Sequence, residues 1–269
     1  MSVERIDKKA IAKSFGKAAC HYDSVAHFQC WVGDQLLTKI PARSAKTIVD
    51  LGCGTGFYMP ELQSRFPEAS VYGLDLSEDM VRFARDSRSN TSLNWLVGDA
   101  ESLPFQTGSV DVIFSSLSIQ WCGNLQALFL EISRVLSKDG VFVFSSLVDG
   151  SLSELKQAWS AVDDQQHVNA FAQKQDYQQA ITGTGLAIST LDVEEKVLRY
   201  QRVKDLTQEL KTLGAHNMTS HRPSKMTGKS RIRKFLSAYE TFRQEDGLLP
   251  ASYQVLWGVV REAELVKIT

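Results

Sequence analysis

Cysteine and proline are both scarce in this chain of 269 residues, which has four of the first and six of the second. Cys20, Cys30, Cys53 and Cys122 stand singly, with no C-x-x-C pair. That pattern argues against a disulfide framework or a structural zinc and leaves each as a small packing residue. His27, His167, His216 and His221 show no metal-ligand spacing, so no metal is expected. Neither sign of charge is in excess: 30 Lys and Arg against 31 Asp and Glu give a formal net charge of −1. The chain therefore has no global pull towards nucleic acid or a membrane surface. Apolar runs fall short of the roughly 18 residues needed to cross a bilayer, and the N-terminus is polar rather than signal-like. No membrane association is expected, and the cytoplasm is the expected location. Repeats and low-complexity tracts are also missing. What remains suits a globular chain with one substantial core and an added subdomain.

Glycine is concentrated where it matters. In the segment from Thr47 to Phe57, apolar Ile48 and Val49 read as the end of a buried parallel strand, followed by Gly52, Gly54 and Gly56 in a tight turn. A helix beginning near Phe57 would point its positive end at an anionic group. The next strand, Val71 to Ser77, ends in Asp75, where a carboxylate can accept from both hydroxyls of a ribose. The pairing suits an adenosyl cofactor on a doubly wound α/β sheet. A dinucleotide fingerprint starting at Gly52 would need glycine at position 57, where Phe57 stands, so NAD is the weaker reading.

The form Asp50-x-Gly52-x-Gly54-x-Gly56 resembles motif I of the class I S-adenosylmethionine methyltransferases. The likeness continues downstream. Leu93 to Asp99 reads as a third strand ending in an acid, and Gly98 to Phe105 resembles the loop that holds adenine in those enzymes. Ser109 to Ser116 reads as the fourth strand, and Leu125 to Leu136 has helical periodicity. Gly140 before Val141-Phe-Val-Phe144 resembles the family's helix stop and fifth strand. The resemblance implies that Asp50 lies near the cofactor ammonium, that Asp99 accepts from the adenine amine and that the Ala100 N–H meets a ring nitrogen. It puts the cofactor on Asp50, Gly52, Gly54, Thr55, Gly56, Asp75, Leu76, Asp99, Ala100, Glu101 and Ser115.

Around this core the chain divides into further blocks. Residues 1–44 are expected to form an N-terminal helical cap, with helices over Lys9 to Gly16 and Phe28 to Ile40 and a break at Pro41. Residues 45–199 are the α/β core, 200–245 a helical lid insertion, and 246–269 a last strand completing the sheet. Val193 to Arg199 and Tyr253 to Val260 are expected to pair as a closing antiparallel hairpin. Within the insertion no acid occurs between Glu209 and Glu240, while Lys211, Arg222, Lys225, Lys229, Arg231, Arg233 and Lys234 do. Such a block is either a solvated surface or a local positive face. Aromatics are too sparse there for a base-stacking platform, and a compact acidic protein fits better.

Several stretches narrow the resemblance: Ile11 to Asp23, Gln120-Trp-Cys-Gly-Asn124, Leu147 to Leu155 with Ala158-Trp159, Leu210 to Asn217 with its Gly-Ala pair, and Pro250 to Gly258. Together they are similar to the malonyl-acyl-carrier-protein O-methyltransferases of biotin synthesis. The likeness spans nearly the whole chain, with Thr55 in a place often held by proline. It implies a class I Rossmann-like fold with N-terminal helices and a helical lid. It also implies methyl transfer from S-adenosyl-L-methionine to the free carboxylate of malonyl-acyl carrier protein, an acidic partner docking on the basic lid face of a monomer. A carboxylate with a pKa near ~4 is already ionised at neutral pH, so no general base is expected. The site is expected to be a positioning set instead: Tyr22 and His21 from the cap, Gln120 and Trp121 after the fourth strand, and a cation. Arg222 is the candidate cation, with Arg199, Arg202 or none as alternatives. Two other functions stay open: methylation of another small carboxylate, such as a free fatty acid, or of a quinone-type acceptor, and a non-catalytic cofactor- or carrier-binding module.

Overall fold

In the computed structural model, residues 7–88, 92–215 and 228–263 are described. One seven-stranded sheet carries the fold, in the order β3-β2-β1-β4-β5-β7-β6. Strands β1 (Thr47–Leu51), β2 (Ser70–Asp75), β3 (Asn94–Val97), β4 (Val110–Ser115) and β5 (Leu136–Leu147) run parallel. Strands β6 (Leu186–Tyr200) and β7 (Leu249–Glu262) pair antiparallel, and β7 joins them to β5. The strand order, though not the strand direction, reverses between β1 and β4: the chain first steps outward to β2 and β3, then returns to the other side of β1. Open α/β sheets bind ligands at that switch point, beyond the carboxyl ends of the strands.

Alternation along the central strands supplies a core to each face. Val141 and Val143 of β5 pack on one side with Val32 and Leu36 of α2 (His27–Thr38) and Leu62 of α3 (Met59–Arg65). Phe142 and Phe144 pack on the other with Leu128 and Ile132 of α5 (Leu125–Val135) and Tyr177 of α7 (Lys174–Thr182). Gly258 of β7 makes room for this second layer, because a Cβ there would lie 2.1 Å from the Phe144 ring.

The first helix departs from the sequence reading. Instead of ending at Gly16, α1 runs Lys8–Val25, capped by Asp7, whose side chain accepts from the Lys9 and Ala10 amides. Gly16 sits inside it because α4 (Glu78–Ser87) passes close: a Cβ would stand 2.8 Å from the Asp79 side chain. Gly140 is also a correction. Helix α5 ends at Val135, and the chain leaves it extended at Leu136. Gly140 lies inside β5, with a Cβ position 2.8 Å from the Ser137 carbonyl. Close backbone approach, not helix capping, accounts for that glycine. After β5 come α6 (Ser153–Ser160) and α7, and between β6 and β7 lie α8 (Val203–Thr212) and α9 (Lys229–Glu240). Strand β6 is about twice the length expected of it, since the extended pairing with β7 begins at Leu186.

Candidate active site

Three acids stand at the ends of β1, β2 and β3, each in a different state. Asp50 is 3% exposed, and although its main chain pairs within the sheet, its side chain has no hydrogen bond among the described residues. Burial, with the neighbouring Asp75 charge, pushes it up to about 8. Asp75 accepts from the Gly54 amide at 2.9 Å and the Ser77 amide at 2.8 Å. Its burial nevertheless holds it above the usual carboxylate range. Asp99 takes both an amide, Glu101 N at 3.0 Å, and the Lys8 ammonium, at 2.7 and 2.9 Å.

The three glycines of the turn have separate reasons. A Cβ on Gly52 would lie 1.8 Å from the Ser118 hydroxyl, and one on Gly56 2.4 Å from the Trp95 ring, so both are fixed by protein packing. All three adopt a positive φ, 74°, 53° and 70°, that favours glycine, and Gly54 differs in having open space beside it. There the main chain faces the cleft bare. The cleft beyond it is walled by Asp75, Leu76, Asp99 and Ala100 on the sheet side, and by Lys8, Ile11, Phe15 and Tyr22 along one face of α1. A buried unpaired acid beside a bare loop, with two further acids spaced along the strand ends, fits an adenosyl ligand carrying an ammonium at one end and hydroxyls and an amine beyond it.

A second cavity adjoins the first. Its walls are mostly apolar and come from Phe28 of α2, Leu147, Leu155, Trp159, Val168 and Leu210, with His167 and Gln29 among the polar groups. Phe15, Tyr22, Leu117 and Trp121 line both cavities. Phe15 packs edge-on against Trp121 at 5.4 Å. Leu117 is held at φ 48°, an unusual conformation for leucine, by its amide bonding back to Ser145 of β5. Burial and the carboxylates of Asp75 and Asp23 push the Tyr22 phenol well above its ordinary range. Gln120 lines the second cavity with its amide fixed between the Leu117 carbonyl and the Ser146 hydroxyl.

Helix α9 is tied to this cavity. Arg231 pairs with Asp163, which holds His167 Nε2 at 2.9 Å. His167 stacks on Trp159 at 3.8 Å, and Trp159 stacks in turn on Phe235 at 4.3 Å. The partners pull Asp163 down to about 2, Arg231 giving the largest lowering against the cost of burial.

Several residues singled out from sequence lie elsewhere. His21 is exposed and lines neither cavity, being one residue and so about 100° around α1 from Tyr22. Glu101 does not line the cleft: its carboxylate accepts from the Gly123 and Asn124 amides and pairs with Lys8. Ser115 points away and donates to the Leu51 carbonyl, whereas Ser116 lines the cleft. Thr55 is buried and donates to Asp23 at 2.6 Å. Gly56 packs on Trp95, as above. Arg199 is taken up by Asp246, and Arg202 by Asp205. Arg222 lies outside the described residues. Lys8, Phe15, Gln29 and Leu117 were missed. Only the helical spacing of Lys8, Ile11, Phe15 and Tyr22 could have marked the α1 members.

Among known proteins, the chain is 39% identical over 251 residues to the malonyl-[acyl-carrier protein] O-methyltransferase of Hahella chejuensis, with 93% of this chain and 89% of that one covered. The chain belongs to that family of methyltransferases. Its counterpart in Methylococcus capsulatus is 38% identical, with 95% and 94% covered. Another relative, the biotin biosynthesis bifunctional protein BioHC of Cellvibrio japonicus, is 44% identical over 256 residues, and the chain spans about half its length. The general methyltransferase domain model matches residues 49–144, which is β1 to β5. Of solved structures, YcgJ from Bacillus subtilis aligns with a TM-score of 0.60 at 20% identity, covering 87% of this chain and 98% of that one. The geranyl diphosphate C-methyltransferase of Streptomyces coelicolor A3(2) aligns with a TM-score of 0.52 at 20% identity, covering 86% and 79%. At these identities the two structures establish the shared class I fold.

Proposed function

We propose that this methyltransferase moves a methyl group from S-adenosylmethionine to the free carboxylate of malonyl-acyl carrier protein. One observation carries the reading. The wall shared by the two cavities consists of Phe15, Tyr22, Leu117 and Trp121 and holds no carboxylate, imidazole or amine. Its one titratable group, the Tyr22 phenol, is held protonated and can donate a hydrogen bond but not accept a proton. An acceptor arriving there must already be ionised. A malonyl carboxylate is; a phenol or quinol is not.

The bound cofactor supplies a methyl group activated on a cationic sulfur. Asp50 suits its ammonium, Asp75 its ribose and Asp99 its adenine amine, while α1 covers it and excludes water. On the acceptor side, Trp121 and Phe15 wall the approach and Tyr22 offers its hydroxyl to the carboxylate. A carboxylate oxygen–methyl bond would form as the sulfur–methyl bond broke, leaving the methyl ester and a neutral thioether, and no proton would need to move. Alignment and removal of water are the means available, worth on the order of 7–11 kcal/mol in well-positioned reactions.

The partner reading is supported by α9. Lys229, Arg233 and Lys234 are exposed, flanking Ile232 and Leu236, which are 43% and 39% exposed at i and i+4. A positive face with an apolar pair at its centre fits an acidic carrier protein with an apolar ridge. Arg231 is spent on Asp163 and offers little to a partner. Assays side by side on malonyl-carrier protein, acetyl-carrier protein, malonyl-CoA and a phenolic acceptor test the proposal. Transfer to the malonyl substrates alone is the expected result; methylation of the phenol would overturn it.

A further inference from the structure

Gln29 has a side chain for which the fold gives no use. It follows Phe28 on the inner side of α2 and lines the second cavity together with Tyr22. It also lines the adjoining space beneath the glycine turn, beside Asp50, Gly52 and Gly54. Its Oε1 is wholly enclosed and has no hydrogen-bond partner. Folded proteins pair nearly all buried polar groups, because leaving one unpaired costs as much as a lost hydrogen bond or more. A leucine would serve the fold better here, since the neighbouring Phe28, Val32 and Leu36 of the same helix are all core residues.

From this we infer that Gln29 is an acceptor-binding residue, whose side-chain amide donates to the malonyl carboxylate at the junction of the two cavities. The inference rests on the reading of the second cavity as the acyl site. A carboxylate offers acceptors only, and a primary amide has two N–H donors that a half-turn about its last torsion brings into the place of Oε1. The Tyr22 hydroxyl, which lines the same spaces, is likewise without a hydrogen bond among the described residues. Two neutral donors would orient the carboxylate while leaving its negative charge free to attack. An arginine in that position would bind the ground state more tightly and mute the nucleophile. The arrangement accounts for an acyl cavity whose described lining holds no lysine or arginine.

The test compares Gln29→Leu and Gln29→Glu with the unaltered protein, using malonyl-carrier protein as substrate and S-adenosylhomocysteine as the binding probe. Loss of one donor to a charged group should lower kcat/KM of Gln29→Leu by about 10- to 100-fold. Its Kd for S-adenosylhomocysteine should stay within about threefold of the original, and its Tm should hold or rise as the unpaired buried group disappears. Gln29→Glu keeps the size but sets a carboxyl against the acceptor carboxylate, and should lose more than the leucine variant. Unchanged turnover in Gln29→Leu would overturn the inference. So would a loss of turnover matched by an equal loss of S-adenosylhomocysteine affinity or by a fall in Tm. An unaltered protein that binds S-adenosylhomocysteine yet leaves malonyl-carrier protein unmethylated would instead overturn the acyl-site reading itself.

Discussion

On the cofactor side of the cleft, the groups we propose for recognition are acids and main chain at the ends of three neighbouring parallel strands: Asp50, Asp75 and Asp99, with Gly54 between them. On the acceptor side the wall is assembled from α1, α2, the turn after β4, the end of β5, α6, the segment around His167, α8 and β7. The first construction repeats one device strand by strand, so spacing along the chain mirrors spacing in space. The second gathers mostly apolar side chains from eight places, and no local rule links them. A cofactor common to many enzymes can be held by the sheet itself, whereas an acceptor particular to one enzyme is met by what is laid over the sheet.

The sharpest way to break this contrast is Asp75→Ala. If the strand-end acids carry cofactor recognition, removing two charge-assisted hydrogen bonds to a ribose should weaken S-adenosylhomocysteine binding by about 100-fold or more, read by calorimetry. Part of the loss would come from the glycine turn, because the same carboxylate holds the Gly54 amide. KM for the malonyl substrate should change little. Unchanged affinity would remove Asp75 from the cofactor site.

The acceptor side is tested by charge. Reversing Lys229, Arg233 and Lys234 together should raise KM for malonyl-carrier protein by roughly tenfold at low salt, with turnover of malonyl-CoA nearly intact. The effect should shrink towards physiological ionic strength, where exposed charges are screened over about 8–10 Å. Equal damage with both substrates would place the defect in the cavity. No damage with either would leave α9 a solvated surface. Arg231 does not belong in this set: its replacement frees Asp163 and His167 and would disturb the acyl wall itself.

What could be read from the sequence follows the same division. The placement of Asp50, Asp75 and Asp99 at strand ends was legible because an acid closing a short apolar run is a local signal. Ser115 was misplaced by one residue, since alternation turns it to the Leu51 carbonyl and gives the cleft to Ser116. His21 and Tyr22 were indistinguishable by type and neighbourhood until α1 was known to be continuous and its inward face fixed. Lys8 could not be found at all, because its partners lie 91 and 93 positions further along the chain. Gln29 reads in sequence as an ordinary polar position on an amphipathic helix, and only the want of a partner for its Oε1 sets it apart.

Asp50 supplies a pH signature confined to the cofactor side. With its carboxyl pushed up to about 8, it is mostly protonated at neutral pH in the unliganded protein. Binding an ammonium requires that proton to leave, so affinity for S-adenosylhomocysteine should increase as pH rises. The gain should reach roughly 20-fold between about pH 6 and 7.5, levelling off above about pH 8, where Asp50 is already ionised without the ligand. Calorimetry in buffers of different ionisation enthalpy should show proton release on binding at pH 6.5. The rate at saturating cofactor should stay flat across the same range, because the acceptor carboxylate is ionised throughout. A rate that climbs with pH at saturation would mean that a base does take part.

The smallest effect concerns Lys8, where the two sides of the cleft meet. Its ammonium bridges Asp99 and Glu101 at 2.7 and 2.9 Å, while Glu101 also holds the Gly123 and Asn124 amides. At the other end of α1, Asp23 bonds Thr55 and pairs with Arg88. Helix α1 is thus strapped across the cofactor cleft by ionic contacts at both ends, and the neighbouring acids, outweighing its burial, hold Lys8 above its ordinary range. Lys8→Met keeps the apolar stem and removes the charge, so release of S-adenosylhomocysteine should quicken. Because the pair is about a third exposed, only about a three- to tenfold change is expected, fading as salt is added. The opposite result carries a distinct meaning. Asp99 is also the acid suited to the adenine amine, and a Lys8→Met variant that bound S-adenosylhomocysteine more tightly would show that Lys8 competes with the ligand for Asp99 instead of closing the helix over it. Stopped-flow release measured at two salt concentrations separates the two, since a clamp lost and a competitor lost move the rate in opposite directions.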